Sequence, residues 1–148
     1  MRVLIQRVTE ASVSVDKKVI GQISKGLLLF VGFEDSDNDT DLTTAAAKVS
    51  KLRIFNDNNG IMNLSISDIK GQFLVISQFT LHAQTKKGNR PSYIKAAHPS
   101  IAKPLYEQFL TKLEQYSDFA IQSGEFGADM QVTLINDGPV TIWIDTKL

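Results

Sequence analysis

Three patterns in the sequence predict an α+β fold, a strongly curved and largely antiparallel sheet with two helices packed on it. Apolar residues recur at alternate positions from Val3 to Val15, the period of a long strand. Two later stretches carry apolar residues at helical spacing instead. Near the middle, Gly71 to Leu81 reads GQFLVISQFTL, and its unbroken run Phe73-Leu74-Val75-Ile76 suits a strand buried on both faces. The 148 residues are expected to form a single domain, 1–148, large enough to bury a core without cross-links.

Composition narrows the function. Sixteen basic and sixteen acidic residues cancel, so no broad field draws the chain onto nucleic acid or an anionic membrane. DNA and membranes are not expected partners, and contacts with RNA would have to be local. The absence of Cys excludes a disulfide scaffold and every thiolate site. The first residues, MRVLIQRVTEASV, lack an apolar signal core, and no run approaches membrane-spanning length, so a cytoplasmic location is expected.

In chain order, the first strand puts Val3, Ile5, Ala11, Val13 and Val15 on one face, with Arg7 as the exception. A bulge turns Arg7 out to solvent, or it reaches a specific carbonyl or carboxylate. Asp16-Lys17-Lys18 reads as a turn, Val19 to Ile23 as a second strand and Gly26 to Phe33 as a third. Alternating acids from Asp35 to Asp41 invite a calcium-loop reading, but Thr40 stands where the glycine belongs and Ala46 where the bidentate Glu belongs. Asp39 or Thr40 is instead the expected N-cap of a helix with Leu42, Ala45, Ala46 and Val49 on one face. Leu52 to Phe55 reads as a short strand, followed by a turn at Asp57-Asn58-Asn59-Gly60.

After the central strand, Gln84 to Lys95 is polar and irregular, with Lys86, Lys87, Arg90 and Lys95 as cations and Tyr93 as a stacking ring. The second helix is expected over Pro99 to Tyr116, starting near Lys103 because of Pro104, or with a disturbed first turn; its stripe is Ile101, Leu105, Tyr106, Phe109, Leu110 and Leu113. Phe119 to Gln122 is a candidate strand, and Gly124 to Ala128 a loop. Met130 to Ile135 and Val140 to Asp145 alternate and read as a terminal hairpin around Asn136-Asp137-Gly138-Pro139. The histidines, His82 and His98, lie far apart and the carboxylates are scattered, so neither a metal nor a cofactor is expected.

The chemistry concentrates in two places. Ser77, Gln78 and Thr80 put three hydrogen-bonding side chains at the end of a buried strand, where they bond nearby backbone or rim a pocket. Gly138-Pro139 offers a peptide with little side-chain bulk. SQFTL at Ser77 to Leu81, KGNRPSY at Lys87 to Tyr93, FGADM at Phe126 to Met130 and NDGPVT at Asn136 to Thr141, in that order, resemble the D-aminoacyl-tRNA deacylase family. The likeness runs from MRVLIQRV to the final strand.

The resemblance implies a barrel-like fold of that family and a homodimer acting on the 3′ end of aminoacyl-tRNA. Gly138-Pro139 would be cis and enter the partner's site, with Arg7 holding it, while Asn136 and Met130 join the substrate-binding surface. A main-chain wall at the α-carbon admits hydrogen but excludes a side chain, so L-residues clash where D-residues or glycine fit. The N–H groups of Phe79 and Thr80 are the candidate oxyanion donors, beside Ser77 and Gln78, and the substrate's 2′-hydroxyl helps activate water. Thr80 is the one plausible hydroxyl nucleophile of the motif, with His82, its ring expected to point past the hydroxyl into solvent, as the nearest base. Lys86, Lys87 and Arg90 are the expected phosphate contacts, with Phe79 or Tyr93 stacking on adenine. Two rivals are a non-catalytic RNA 3′-end binding module of the same fold and a threonine esterase indifferent to RNA.

Overall fold

The computed structural model describes residues 1–148. Its elements are β1 (Arg2–Val15), β2 (Lys18–Ile23), β3 (Gly26–Gly32), α1 (Asp39–Lys51), β4 (Phe55–Asn56), β5 (Met62–Leu64), β6 (Gln72–Ser77), a 3₁₀ turn (Phe79–His82), α2 (Pro99–Glu114), β7 (Gln122–Ser123) and β8 (Gln131–Asp145). β1 is the spine. Its first half pairs antiparallel with β3, its second half with β2, and β8 runs antiparallel to it over nearly its whole length. The β1–β2 connection turns at Asp16 and Lys17, whose φ values of 49° and 65° give the left-handed geometry that suits a twisted hairpin.

The sheet is mixed: β6 lies parallel to β3, and β7 parallel to β6. An apolar run signals burial on both faces but not strand direction, and α1 lies within the long connection that a parallel β3–β6 pair requires. The curved sheet nearly closes where β2 approaches β7. Gly21 permits this approach, since a Cβ there would sit 2.9 Å from the Ser123 carbonyl oxygen.

Two cores result. Val3 and Ile5 of β1, Leu27, Leu29 and Val31 of β3, and Phe73 and Val75 of β6 face α1 and α2. Leu28, Leu74 and Ile76 point the other way and meet Val8, Ala11, Val13 and Ile23. The expected single apolar face of β1 is therefore divided. The β1–β8 register shifts between Gln6 and Val8 and again between Val8 and Glu10, and such irregularity flips the alternation partway along the strand.

Several expectations need correction. The terminal hairpin does not exist: β8 is one strand, and both its halves pair with the long β1. Asp137, Gly138, Pro139 and Val140 form a bulge opposite Arg7, because Gln6 pairs with Thr141 and Val8 with Asn136. The α1 N-cap is Asn38, one residue earlier than expected, in a capping box where its side chain accepts from Thr40 N and Asp41 accepts from Asn38 N. α2 starts at Pro99, and Pro104 lies inside it; the N–H it lacks would have gone to the carbonyl of exposed Ser100, where solvent tolerates the loss. Ile101 is exposed, and the buried face runs through Ala102, Tyr106, Phe109 and Leu113. The strand expected from Phe119 is the shorter β7, with Phe119 itself exposed.

Candidate active site

β6 delivers its end to the surface as a tight turn. Gln78 N donates to Val31 O at 2.7 Å, the last bond of the parallel ladder, and the chain then winds through the 3₁₀ turn. A helical turn leaves its first N–H groups without partners inside it, here those of Phe79 and Thr80. The Gln78 side chain donates its Nε2 to Thr80 Oγ1 at 2.6 Å, which fixes that hydroxyl. From behind, Tyr106 of α2 donates its hydroxyl to Val75 O at 3.0 Å, and burial pushes its phenol up to about 12, so it remains a donor. Gly124 N reaches the same carbonyl at 3.0 Å, so strand, helix and the loop after β7 meet at one atom.

Beside the turn lies a cavity of about 650 Å³. Ile76, Ser77, Gln78 and Phe79 form one side, Ala96 to Pro99 with Ala102 a second, and Phe126 to Met130 a third. Phe126 is set against Tyr106, ring centroids 5.8 Å apart. The lining is mostly apolar, with few polar groups, the usual character of a small-molecule site. His98, at its edge, accepts the Ser100 N–H on Nδ1 at 3.2 Å and so caps α2.

The bulge in β8 is held differently. Arg7 is buried, and its guanidinium donates to Asp137 O at 3.1 Å and Ile54 O at 2.6 Å while pairing with Asp137 Oδ2 at 3.2 Å. The register shift predicted for a bulge is present, but it does not turn Arg7 to solvent. Asn136 Nδ2 bonds Arg7 O at 3.0 Å and Val140 O at 3.1 Å, spanning the interruption in the ladder. The Gly138–Pro139 peptide is cis, and both residues are exposed.

The structure thus brings Ser77, Gln78, Phe79 and Met130 together at the cavity, with Thr80 one residue beyond its lining. Arg7, Asn136, Gly138 and Pro139 form a second cluster, none of which lines that cavity in the same chain. Lys86, Lys87 and Arg90 stand exposed on the loop closed by the Gln84–Ser92 bridge. His82 corrects the sequence reading: it is buried, not solvent-facing, because the turn folds it back beside Gly32. Neither of its ring nitrogens has a hydrogen-bond partner, Thr80 Oγ1 included. Sequence reasoning missed Phe33, Ala102 and Phe126. The spacing Ala102-Tyr106-Phe109-Leu113 carried the signal for Ala102, and Phe126 stood in the FGADM motif, of which only Met130 was given a role at the site.

Fold and site together define an α+β protein whose apolar cavity borders the turn at a strand end, with no group of three or more metal-ligating side chains. The family model described as D-Tyr-tRNA(Tyr) deacylase matches residues 4–145. A protein of Flavobacterium psychrophilum named D-aminoacyl-tRNA deacylase is 58% identical over 147 residues, covering 99% of this chain and 98% of its own. One of the same name from Porphyromonas gingivalis is 58% identical over 146 residues, with 99% and 97% covered. The chain belongs to the D-aminoacyl-tRNA deacylase family. Among solved structures, the c-Myc DNA Unwinding Element Binding Protein superposes with a TM-score of 0.93 at 37% identity over 98% of both chains. A structure described as a probable eukaryotic D-amino acid tRNA deacylase shares the fold, with a TM-score of 0.80 at 18% identity over 97% of both.

Proposed function

We propose that this chain hydrolyses the ester between a D-amino acid, or mischarged glycine, and the terminal adenosine of tRNA. It does so in the cytoplasm, as a homodimer in which Gly138–Pro139 of one subunit completes the other's cavity. One observation carries the reading: the cavity and the bulge occupy separate surfaces of one chain, and the bulge, anchored inward by Arg7, presents its two least bulky residues outward. The outer edge of β8 supports dimerisation, since a long edge strand with Ile135 53% and Trp143 45% exposed invites pairing.

The chemistry needs few side chains. Water adds to the ester carbonyl carbon, and the N–H groups of Phe79 and Thr80 receive the oxyanion. The bond to the ribose oxygen then breaks, and that oxygen leaves with a proton relayed through the neighbouring hydroxyl of the ribose. Ser77, Gln78 and Met130 shape the site, and Lys86, Lys87 and Arg90 meet phosphates. A carbonyl wall from the partner's bulge stands against the α-carbon, so an L side chain has no room. Zero net charge with a local cation cluster favours an RNA end over duplex DNA.

Purified protein incubated with D- and L-aminoacyl-tRNA tests this directly: the D-ester is expected to disappear and the L-ester to persist. A protein that shields the D-ester would be the non-catalytic RNA-end binder instead. Gly138→Ala probes the wall. At φ +115° its Cβ would stand 2.6 Å from Arg7 Nη2, and displacing the peptide is expected to cost about a hundredfold in D-ester hydrolysis while the circular dichroism spectrum is kept.

A further inference from the structure

At the cavity mouth the rings of Phe79 and Tyr93 meet edge to face, centroids 5.2 Å apart with 75° between their planes. Both side chains remain in water, Phe79 56% and Tyr93 42% exposed. Large rings so placed are most informative when they lie beside a site. The loop leading into Tyr93 is fixed at its feet, where Gln84 and Ser92 exchange backbone bonds of 2.8 and 3.0 Å. It projects Lys86, Lys87 and Arg90, none of which forms an ion pair within the chain.

We infer that the Phe79–Tyr93 pair is a stacking platform for the base of the nucleotide immediately 5′ of the terminal adenosine, with the loop cations on the flanking phosphates. The inference rests on the deacylase reading and extends it outward from the cavity. For the ester to reach the N–H groups of the turn, the aminoacyl nucleoside must occupy the cavity, and about 650 Å³ accommodates it. The strand then leaves through the mouth, where the two rings stand. Single-stranded ends are held by this combination of aromatic faces and cations tracking the backbone. The platform is also joined to the chemistry, because Phe79 contributes its ring to the stack and its N–H to the turn. A stacked base therefore steadies the donor and affects kcat as well as KM.

The experiment compares two substrates, a D-aminoacyl-adenosine and the same ester on a dinucleotide with one cytidine added 5′ of that adenosine. The added nucleotide is expected to raise kcat/KM about tenfold in the parent, within the range of one base–aromatic stack. Tyr93→Ala should abolish this gain, and Tyr93→Phe, which keeps the ring, should restore it. A parent that gains nothing from the second nucleotide, or a Tyr93→Ala variant that keeps the full gain, overturns the platform while leaving the deacylase intact. A parent that cleaves neither ester overturns the deacylase reading, and the platform with it.

Discussion

The turn after β6 and the bulge in β8 solve opposite problems. The turn grows from a strand buried between two others and held from behind by Tyr106, so its position is set by the core, and its Phe79 lines a cavity in the same chain. The bulge sits on an exposed edge strand, lies outside that cavity's lining, and is held by one buried cation and one amide. The difference teaches which of the two positions a single substitution can disturb. A turn fixed by packing resists substitution, whereas a bulge fixed by a few polar bonds depends on each of them.

Arg7→Ala breaks the contrast most severely. It removes the bonds to Asp137 and Ile54 together and leaves a buried carbonyl unpaired, an expected loss of about 3 kcal/mol in denaturant unfolding. Rejection of L-esters should weaken in parallel; a variant as stable and as selective as the parent would show that the bulge stands unaided. Tyr106→Phe tests the other region. Val75 O keeps its bond from Gly124 N, so a loss of only about 1 kcal/mol is expected, with D-ester hydrolysis nearly retained.

The smallest expected effect comes from a cluster apart from both regions, where Lys147 reaches Asp41 at 2.8 Å and the N-terminal ammonium pairs with Asp37. Burial alone would raise Asp41, but hydrogen bonds from Lys147, Thr146 and Asn38 N outweigh it and hold the carboxyl below its ordinary 3.8. The Asp41 hydrogen bond raises Lys147 above 10.5, against the opposing effect of burial. The Asp41 contribution is present above pH 3.8 and lost as pH falls through its lowered value. That of Lys147 is complete below pH 10.5 and lost as pH rises through its raised value. Thermal melts across pH should show a plateau between these limits, with selectivity for D-esters unchanged along it.

Much of this was legible from residue patterns. Alternation revealed β1, the turn at Asp16 to Lys18 set off β2, the Phe73–Ile76 run revealed a doubly buried strand, and Asp57 to Gly60 marked the β4–β5 turn. The β8 bulge was not legible, because a Gly-Pro between two alternating runs looks like a hairpin tip until a partner strand long enough to hold both runs is known. Nor was the change of face within β1, since skipping one residue restores the apparent odd-numbered regularity at Ala11 and Val13. The burial of His82 depends on the path of the turn, which local sequence does not encode.

β1, β3 and β6 each send side chains into both cores, Leu27 and Leu28 being adjacent examples. The two cores therefore share these three strands. Loosening the smaller one tugs on the very strands that floor the larger, so heat or denaturant meets one cooperative body rather than two layers to be peeled in turn.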